Sequence, residues 1–170
     1  MKKIIKELIP YVVIVVVVVL FRTFIATPVI VDGSSMDPTL RDNQLLILNK
    51  LSKNYDRFDI VVVDATINGN KERLVKRIIG LPGDKIEYKH DKLYVNDKEM
   101  QDDFASITDR FNLEDLYGIK KLPKDSYFVM GDNRKHSLDS RDERVGIVAK
   151  SDIVGKAIFR IFPFNKIGTI

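Results

Sequence analysis

The hydrophobic positions of this chain form one long apolar run near its start and a series of short apolar runs after it. The stretch from Leu8 to Phe21, which contains YVVIVVVVVLF, carries no charge. As a helix it reaches about 21 Å at roughly 1.5 Å per residue, short of the ~30 Å hydrocarbon core of a bilayer. Extension through Arg22 to Ile25 restores a spanning length, because an arginine near a helix end can reach the headgroups. The pattern therefore predicts a transmembrane helix.

The same apolar run could instead be the core of a cleaved signal peptide. Cleavage of that kind requires small residues one and three positions before the cut, and the candidate Ala26 has Phe24 in the earlier position. We therefore predict an uncleaved membrane anchor over residues 1–27, including a short cytoplasmic tail.

The charges around this segment predict its orientation. Three lysines precede the apolar run: Lys2, Lys3 and Lys6. By the positive-inside rule the amino terminus stays in the cytoplasm. We therefore expect a single-pass protein of the cell membrane whose residues 28–170 form one extracytoplasmic domain.

After Thr27, short β-like runs alternate with turn residues. These runs are PVIVD, QLLILNK, FDIVVVDAT, RLVKRIIGL, DKIEYK, KLYVN, SYFVMGD, VGIVAK and DIVGKAIFRIF. Many short strands without helical periodicity predict a mainly β domain, an antiparallel sandwich or barrel-like sheet. Within it, IEYKHDKLYVND predicts a hairpin that turns at His90 and Asp91.

Residues 99–121 interrupt the strand pattern. The segment is rich in charge, and its NLEDLY stretch predicts a turn of helix. We expect a solvated loop inserted over the surface.

Composition narrows the classes of function. The chain of 170 residues is 45% hydrophobic, enough for one modest domain beside the anchor. Its net charge of +4 comes from interleaved cations and anions, so no basic stripe for nucleic acid stands out. There is no cysteine, which excludes disulfides and thiolate chemistry. The two histidines, His90 and His136, lie far apart without a ligand pattern, so we expect no metal site.

The stretch DGSSMDPTL, just past the anchor, is a candidate nucleophile site. Gly33 permits a tight turn, and Asp37 with Pro38 fixes a second turn three residues beyond Ser35. Ser35 is thereby held on an exposed bend, where its oxygen is accessible and backbone N–H groups can face a developing oxyanion. Serine-rich turns are common, so the stretch does not establish catalysis by itself.

A serine nucleophile needs a base, and three residues are candidates. His90 is expected at a solvated hairpin tip, whereas His136 lies in a polar stretch and is the better histidine. Lys76 stands in the strand pattern RLVKRIIGL, between Leu74 and Ile78 on one face. A lysine buried among aliphatic side chains can fall from a pKa near ~10.4 to about 7–8, which suits a general base. An exposed charge on an edge strand is the alternative reading.

The polar loop GDNRKHSLDSR, residues 131–141, follows the predicted strand SYFVM. Asp139 and Arg141 are spaced to form a pair that braces the loop, and Ser137 could hydrogen-bond the lysine amine. A polar surface turn is the alternative.

Taken together and in series, these stretches resemble the bacterial type I signal peptidases, membrane-anchored serine endopeptidases with a Ser-Lys dyad. The resemblance covers nearly the whole chain. It rests on the apolar anchor, SMDPTL, RFDIVVV, VKRIIGLPGD and GDNRKHSLDSR, in that order. The absence of a large inserted domain resembles the compact form found in Gram-positive bacteria.

The resemblance implies roles for individual residues. Ser35 would be the nucleophile and Lys76 the general base, with Ser137 bonded to the lysine. Asp139 and Arg141 would support them. The oxyanion site would use the Ser35 N–H.

Two positions depart from the pattern of the family. Some members carry a serine hydroxyl, a second oxyanion donor, at the position of Gly33, and this chain has no side chain there to supply it. Phe58 stands where glycine is frequent, in RFDIVVV.

The implied substrate is a secreted preprotein, cut after a small-x-small site such as Ala-x-Ala through an acyl-enzyme, with no cofactor. An extended peptide could add as a strand beside PVIVDGSS. Its small side chains would enter shallow pockets walled by Val31, Met36, Leu40, Leu74 and Val75.

The carboxy-terminal stretch AIFRIFPFNKIGTI interleaves aromatic residues with cations. We expect about half of its aromatics to be buried and the rest to touch membrane lipid, with Phe162 and Phe164 as the candidates.

Three alternatives remain at this point. A self-cleaving repressor-type protein shares Ser-Lys chemistry, but the anchor and the lack of a DNA-binding module argue against it. A non-catalytic membrane-anchored binding protein is disfavoured because both dyad positions are filled. A Ser-His site built on His136 is the third.

Overall fold

The long apolar run forms a helix that stands apart from the rest of the protein. The computed structural model describes residues 2–104 and 107–170, and for residues 2–6 the backbone alone. Helix α1, Lys2–Phe24, contains a stretch from Glu7 to Phe24 long and apolar enough to cross a membrane. None of that stretch is buried against the domain, as expected of an apolar helix whose surface faces lipid.

The helix passes directly into the β domain. The Ile25 N–H donates to the Phe21 carbonyl at 2.8 Å, and strand β1 begins at Ala26. The first strand thus starts two residues before the predicted start of the domain at residue 28.

The domain consists of antiparallel strands, which confirms the predicted mainly β fold. Its twelve described strands are β1 Ala26–Ile30, β2 Leu45–Asn49, β3 Ile60–Ile67, β4 Asn70–Gly80, β5 Ile86–Lys89, β6 Lys92–Val95, β7 Lys98–Met100, β8 Phe111–Asn112, β9 Ser126–Met130, β10 Val148–Ala149, β11 Ile153–Phe162 and β12 Gly168–Thr169. Each of the nine predicted runs overlaps one of these strands. The runs miss only the short β7, β8 and β12.

The strands form two sheets. The larger has the order β1-β2-β11-β3-β4-β9-β10, with β12 paired to β11, and the smaller has the order β7-β6-β5-β8. Strand β1 is thus an edge strand of the larger sheet, while β4 lies inside it between β3 and β9. This position explains why β4 carries buried residues on both faces.

The hairpin of β5 and β6 turns where the sequence predicts. His90 and Asp91 form a two-residue turn with φ angles of 50° and 61°, the positive values that a type I′ turn requires at both positions. His90 is exposed there, in keeping with a hairpin tip.

The expectation of a solvated loop over residues 99–121 is wrong for much of the segment. Phe111 and Leu113 are buried in the apolar cluster formed between the two sheets with Tyr88 and Phe128. The predicted helical turn is present as α2, Leu113–Tyr117, capped by Asn112. Apolar residues spaced among charges anchor the segment, and hydropathy averaged over its length hides them.

Phe58 occupies a backbone conformation that favours glycine. Its φ angle is 71°, in the left-handed region. Its N–H donates to the Ile78 carbonyl and its own carbonyl accepts from the Arg77 guanidinium, each at 2.8 Å. These bonds hold the chain in the turn that enters β3.

Candidate active site

Ser35 lies on the turn that links β1 to β2, between two fixed points. On one side Gly33 has a φ angle of 87° and donates its N–H to Asp42 Oδ1 at 2.8 Å. On the other side Met36 and Leu40 are buried in the core, at 1% and 0% exposure. The turn therefore presents a half-buried Ser35 from an anchored backbone.

Lys76 reaches this serine from β4. Its register partner in β3 is Val61, and its side chain is buried, with 2% of the residue exposed. Its Nζ lies 2.6 Å from Ser35 Oγ, within hydrogen-bond distance, although 41 residues separate the two in the sequence. In its neutral form this nitrogen can accept the hydroxyl proton.

Burial lowers the pKa of Lys76 to about 8. Removal from water is the largest cause, because it penalises the charged form. Asp139 and Asp132 raise the pKa and Arg141 lowers it, each by less than the effect of burial. An appreciable fraction of the amine is consequently neutral near physiological pH, as a general base requires.

The loop of residues 131–141 packs against the serine turn and is braced by the predicted pair. Arg141 contacts Asp139 through Nε–Oδ1 at 2.9 Å and Nη2–Oδ2 at 2.8 Å, with the carboxylate buried. Asp139 also accepts from the Gly131 N–H at 3.0 Å. The Asp139–Arg141 pair thus links the end of the loop to Gly131, its first residue.

Ser137 does not make the hydrogen bond expected of it. Its Oγ is buried and has no hydrogen-bond partner among the described residues, while the amine of Lys76 is bonded to Ser35. The expectation that Ser137 bonds the lysine is therefore wrong for this structure. Ser137 instead lies against Gly131, so close that a Cβ at residue 131 would overlap it.

The backbone N–H of Ser35 is available as a hydrogen-bond donor. The Ser35 carbonyl accepts from the Asn133 N–H at 3.0 Å, and Asn133 Nδ2 donates to the Ser34 carbonyl at 3.1 Å. The Ser35 N–H makes no hydrogen bond with any described residue. The N–H of Gly33 is bonded to Asp42, so it does not supply the second donor in this arrangement.

A buried ion pair next to the dyad was not identified from the sequence. Arg77 binds Asp132 through two bonds of 2.8 and 2.7 Å, with side chains 5% and 0% exposed. It joins β4, directly after Lys76, to the loop after β9. A cation among apolar residues in KRIIG was the available signal, but the sequence does not identify its partner.

The histidines lie elsewhere. The side chain of His136 is exposed and forms no hydrogen bond within the described part of the chain, and that of His90 lies at the hairpin turn. Residues 2–104 and 107–170 contain no group of three or more His, Cys, Asp or Glu side chains arranged to hold a metal ion.

The predicted pocket residues divide into two groups. Val31, Met36 and Leu40 belong to the buried core and are at most 2% exposed, so a ligand could touch them only as the floor of a depression. Val75 is half-buried against the same cluster, and Leu74 is half-buried against a different one. Their role as pocket walls stays a prediction.

Gly131 is required by packing at the site. An added Cβ would overlap the Ser137 side chain and the Ser35 carbonyl oxygen. Because displacement by about 1 Å can cost about 100-fold in rate, we expect Gly131→Ala to lower the kcat/KM of the reaction at Ser35 about 100-fold. Lys135→Ala, an exposed change in the same loop, is the control and should leave kcat/KM within about twofold. Equal activities of the two variants would contradict the described packing.

Comparison with known proteins identifies the class. The family model described as signal peptidase, peptidase S26 matches residues 3–162. The signal peptidase I of Bacillus amyloliquefaciens is 43% identical over 90% of this chain and 85% of its own length. The signal peptidase I of Bacillus caldolyticus is 44% identical over 92% of this chain and 91% of its own length.

A solved structure agrees with the sequence relatives. The crystal structure of a signal peptidase I from Enterococcus faecalis V583 matches with a TM-score of 0.54 and 35% identity, over 61% of this chain and 96% of that one. The antiparallel fold, a serine peptidase family model and these relatives agree. The chain belongs to the signal peptidase family and is a bacterial type I signal peptidase, a serine peptidase among the hydrolases.

Proposed function

We propose that this protein removes signal peptides from secreted preproteins by cutting after a small-x-small site, with Ser35 as nucleophile and Lys76 as general base. The observation that carries the assignment is the 2.6 Å contact between Lys76 Nζ and Ser35 Oγ, formed by a lysine only 2% exposed. Burial, which keeps the amine partly neutral, and the short contact with the hydroxyl both support a role in taking the Ser35 proton.

The reaction then proceeds in two stages. Neutral Lys76 takes the proton from Ser35 as Oγ attacks the scissile carbonyl, and the Ser35 N–H donates to the oxyanion. The lysine gives its proton to the leaving amine, and an ester to Ser35 remains. The same amine, neutral again, removes a proton from water as the water oxygen attacks the ester. The bond between the acyl group and Ser35 Oγ then breaks, and Lys76 returns that proton to Oγ, which gives the acid and free serine. Water is the only co-reactant.

The substrate segment would bind as an added strand at the edge formed by β1. This strand is unpaired on its outer side in the described sheet and leads directly to the Ser35 turn. Extended peptides bind such edges through main-chain hydrogen bonds. With the buried Val31, Met36 and Leu40 as its floor, such a site would be shallow and would admit only small side chains, in keeping with the proposed small-x-small specificity.

The anchor would hold the catalytic domain at the extracytoplasmic face of the cell membrane. Helix α1 leads into β1 after a single residue, so the substrate edge begins close to the end of the span. Phe162 and Phe164 are 44% and 76% exposed, and their rings contact each other at 5.5 Å between centroids. We propose that they touch lipid, in keeping with exposed aromatic pairs at membrane surfaces.

Ser35→Ala and His136→Ala separate this proposal from the Ser-His alternative and from a non-catalytic binding protein. Cleavage of a preprotein with an Ala-x-Ala site is measured by gel shift. We expect Ser35→Ala to lower the rate by at least about 1,000-fold and His136→Ala to change it less than about twofold. Full activity of Ser35→Ala would overturn the assignment of Ser35 as the nucleophile. Loss of activity in His136→Ala would favour His136 as the general base. No cleavage by the wild type would favour a binding protein.

A further inference from the structure

Two residues of the segment first expected to be solvated contact arginines beside the site. Asp102 binds Arg134 of the 131–141 loop, and the ring of Phe104 lies under Arg77, the neighbour of Lys76. Neither residue belongs to the stretches that carry the chemistry.

The contact of Asp102 is buried and highly connected. The side chains of Arg134 and Asp102 are 1% and 4% exposed. The Tyr88 hydroxyl donates to Asp102 and accepts from Arg134 Nη1, which also donates to Thr108 Oγ1 at 3.0 Å. Such a buried, fully bonded network fixes the orientation of the guanidinium.

Arg134 also makes hydrogen bonds within the loop of residues 131–141. Its Nε donates to the Gly131 carbonyl at 3.0 Å, and its own carbonyl accepts from Arg141 Nη2 at 2.6 Å. Arg141 in turn binds Asp139. Gly131 is the residue packed against both Ser137 and the Ser35 carbonyl, so the chain of contacts from Asp102 ends at the nucleophile turn.

Phe104 contacts the strand that carries Lys76. Its ring centroid lies 3.5 Å from the guanidinium carbon of Arg77, whose other contacts are Asp132 and the Phe58 carbonyl. Cation–π contacts of this kind gain strength where water is excluded. The ring therefore holds Arg77, and with it the strand position next to Lys76.

We propose that Asp102 and Phe104 are positioning residues for the dyad, Asp102 acting through Arg134 on the Ser35 turn and Phe104 through Arg77 on the Lys76 strand. The inference rests on the Ser-Lys function proposed above. It assigns to the 99–121 segment a part in catalysis without contact to the substrate.

The test measures kcat and KM of the full-length protein on a preprotein substrate, for Asp102→Asn and Phe104→Leu. We expect kcat to fall about 10-fold or more in each, with KM within about twofold, because positioning affects the chemical step more than binding. Asp103→Asn, an exposed neighbouring carboxylate, is the control and should match wild type. Circular dichroism at the assay temperature gives the folded fraction.

A second comparison tests the route. In an Arg134→Gln background, Asp102→Asn should lower kcat by less than about twofold more, because the effects of coupled residues are not additive. Unchanged kcat in both single variants, or losses that match the unfolded fraction, overturns the inference. If Asp102→Asn or Arg134→Gln does not fold, Phe104→Leu decides by the same criterion. Failure of this inference is distinguishable from failure of the proposed function. If Asp102→Asn and Phe104→Leu keep wild-type kcat while Ser35→Ala is inactive, only the inference is overturned. If Ser35→Ala is active, the proposed function itself is overturned.

Discussion

Lys76→Met is expected to reduce preprotein cleavage by at least about 1,000-fold while the protein remains folded. The methionine fills the space of the lysine stem but has no amine to take the Ser35 proton, and a serine without its base is a weak nucleophile. The measurement is kcat/KM against the same preprotein. Lys71→Met, an exposed lysine on the same strand β4, is the matched control and should be nearly unchanged.

The same variant has a predicted effect on stability with a definite sign. The pKa of Lys76 is about 8 in the folded protein and 10.5 as the ordinary value, so between these limits the unfolded chain holds more protons. The contribution of this group to stability therefore increases from pH 8 to 10.5. Below pH 8 the full cost is present, about 3 kcal/mol at 1.36 kcal/mol per pKa unit.

Lys76→Met removes this cost. We expect the variant to be at least as stable as the wild type at pH 7 and to lose the part of the pH dependence between pH 8 and 10.5 that Lys76 supplies. Urea denaturation across this pH range measures both. Wild-type activity in Lys76→Met would exclude Lys76 as the general base. Strong destabilisation of Lys76→Met at pH 7 would contradict the described burial of the lysine.

Arg77→Met is expected to destabilise the protein by about 3–5 kcal/mol. The change leaves the carboxylate of Asp132 buried, 0% exposed, without its cation, and uncompensated buried charge is among the most costly defects a fold can carry. The measurement is the free energy of unfolding from urea denaturation, monitored by circular dichroism.

Strand β4 supplies a control with the same chemistry in water. Arg73 binds Asp64 at 2.9 Å, but these side chains are 62% and 54% exposed. Exposed ion pairs contribute about 0–1 kcal/mol, so Arg73→Met should change the unfolding free energy by no more than that. Similar losses in the two variants would contradict the difference in burial, and Arg77→Met/Asp132→Asn should recover part of the loss.

The elements of this fold could be predicted because their signals are local. Short apolar runs separated by turn residues predicted nine strands. His90 and Asp91 predicted a two-residue turn, because both residues tolerate its positive φ angles. The short strand β8 and the buried Phe111 escaped because one or two apolar residues among charges give no period.

The candidate site could be predicted only as far as the chemistry of single residues and the resemblance to a family reach. Lys76 stood out because a cation between aliphatic residues is unusual, and Asp139 with Arg141 because they alternate in one loop. The partners of Arg77 and Arg134 are set by how distant segments pack. The predicted bond of Ser137 was wrong because its oxygen lies against Gly131, a contact that depends on how the 131–141 loop folds back on itself.

The central claim is that the amine of Lys76 loses its proton near pH 8 in the folded enzyme. NMR of selectively ¹⁵N- or ¹³C-labelled lysine, assigned by comparison with Lys76→Met, follows that side chain directly through a titration of the full-length protein. The account predicts a midpoint near 8, well separated from those of the exposed lysines. A side chain still cationic above pH 9 would contradict it.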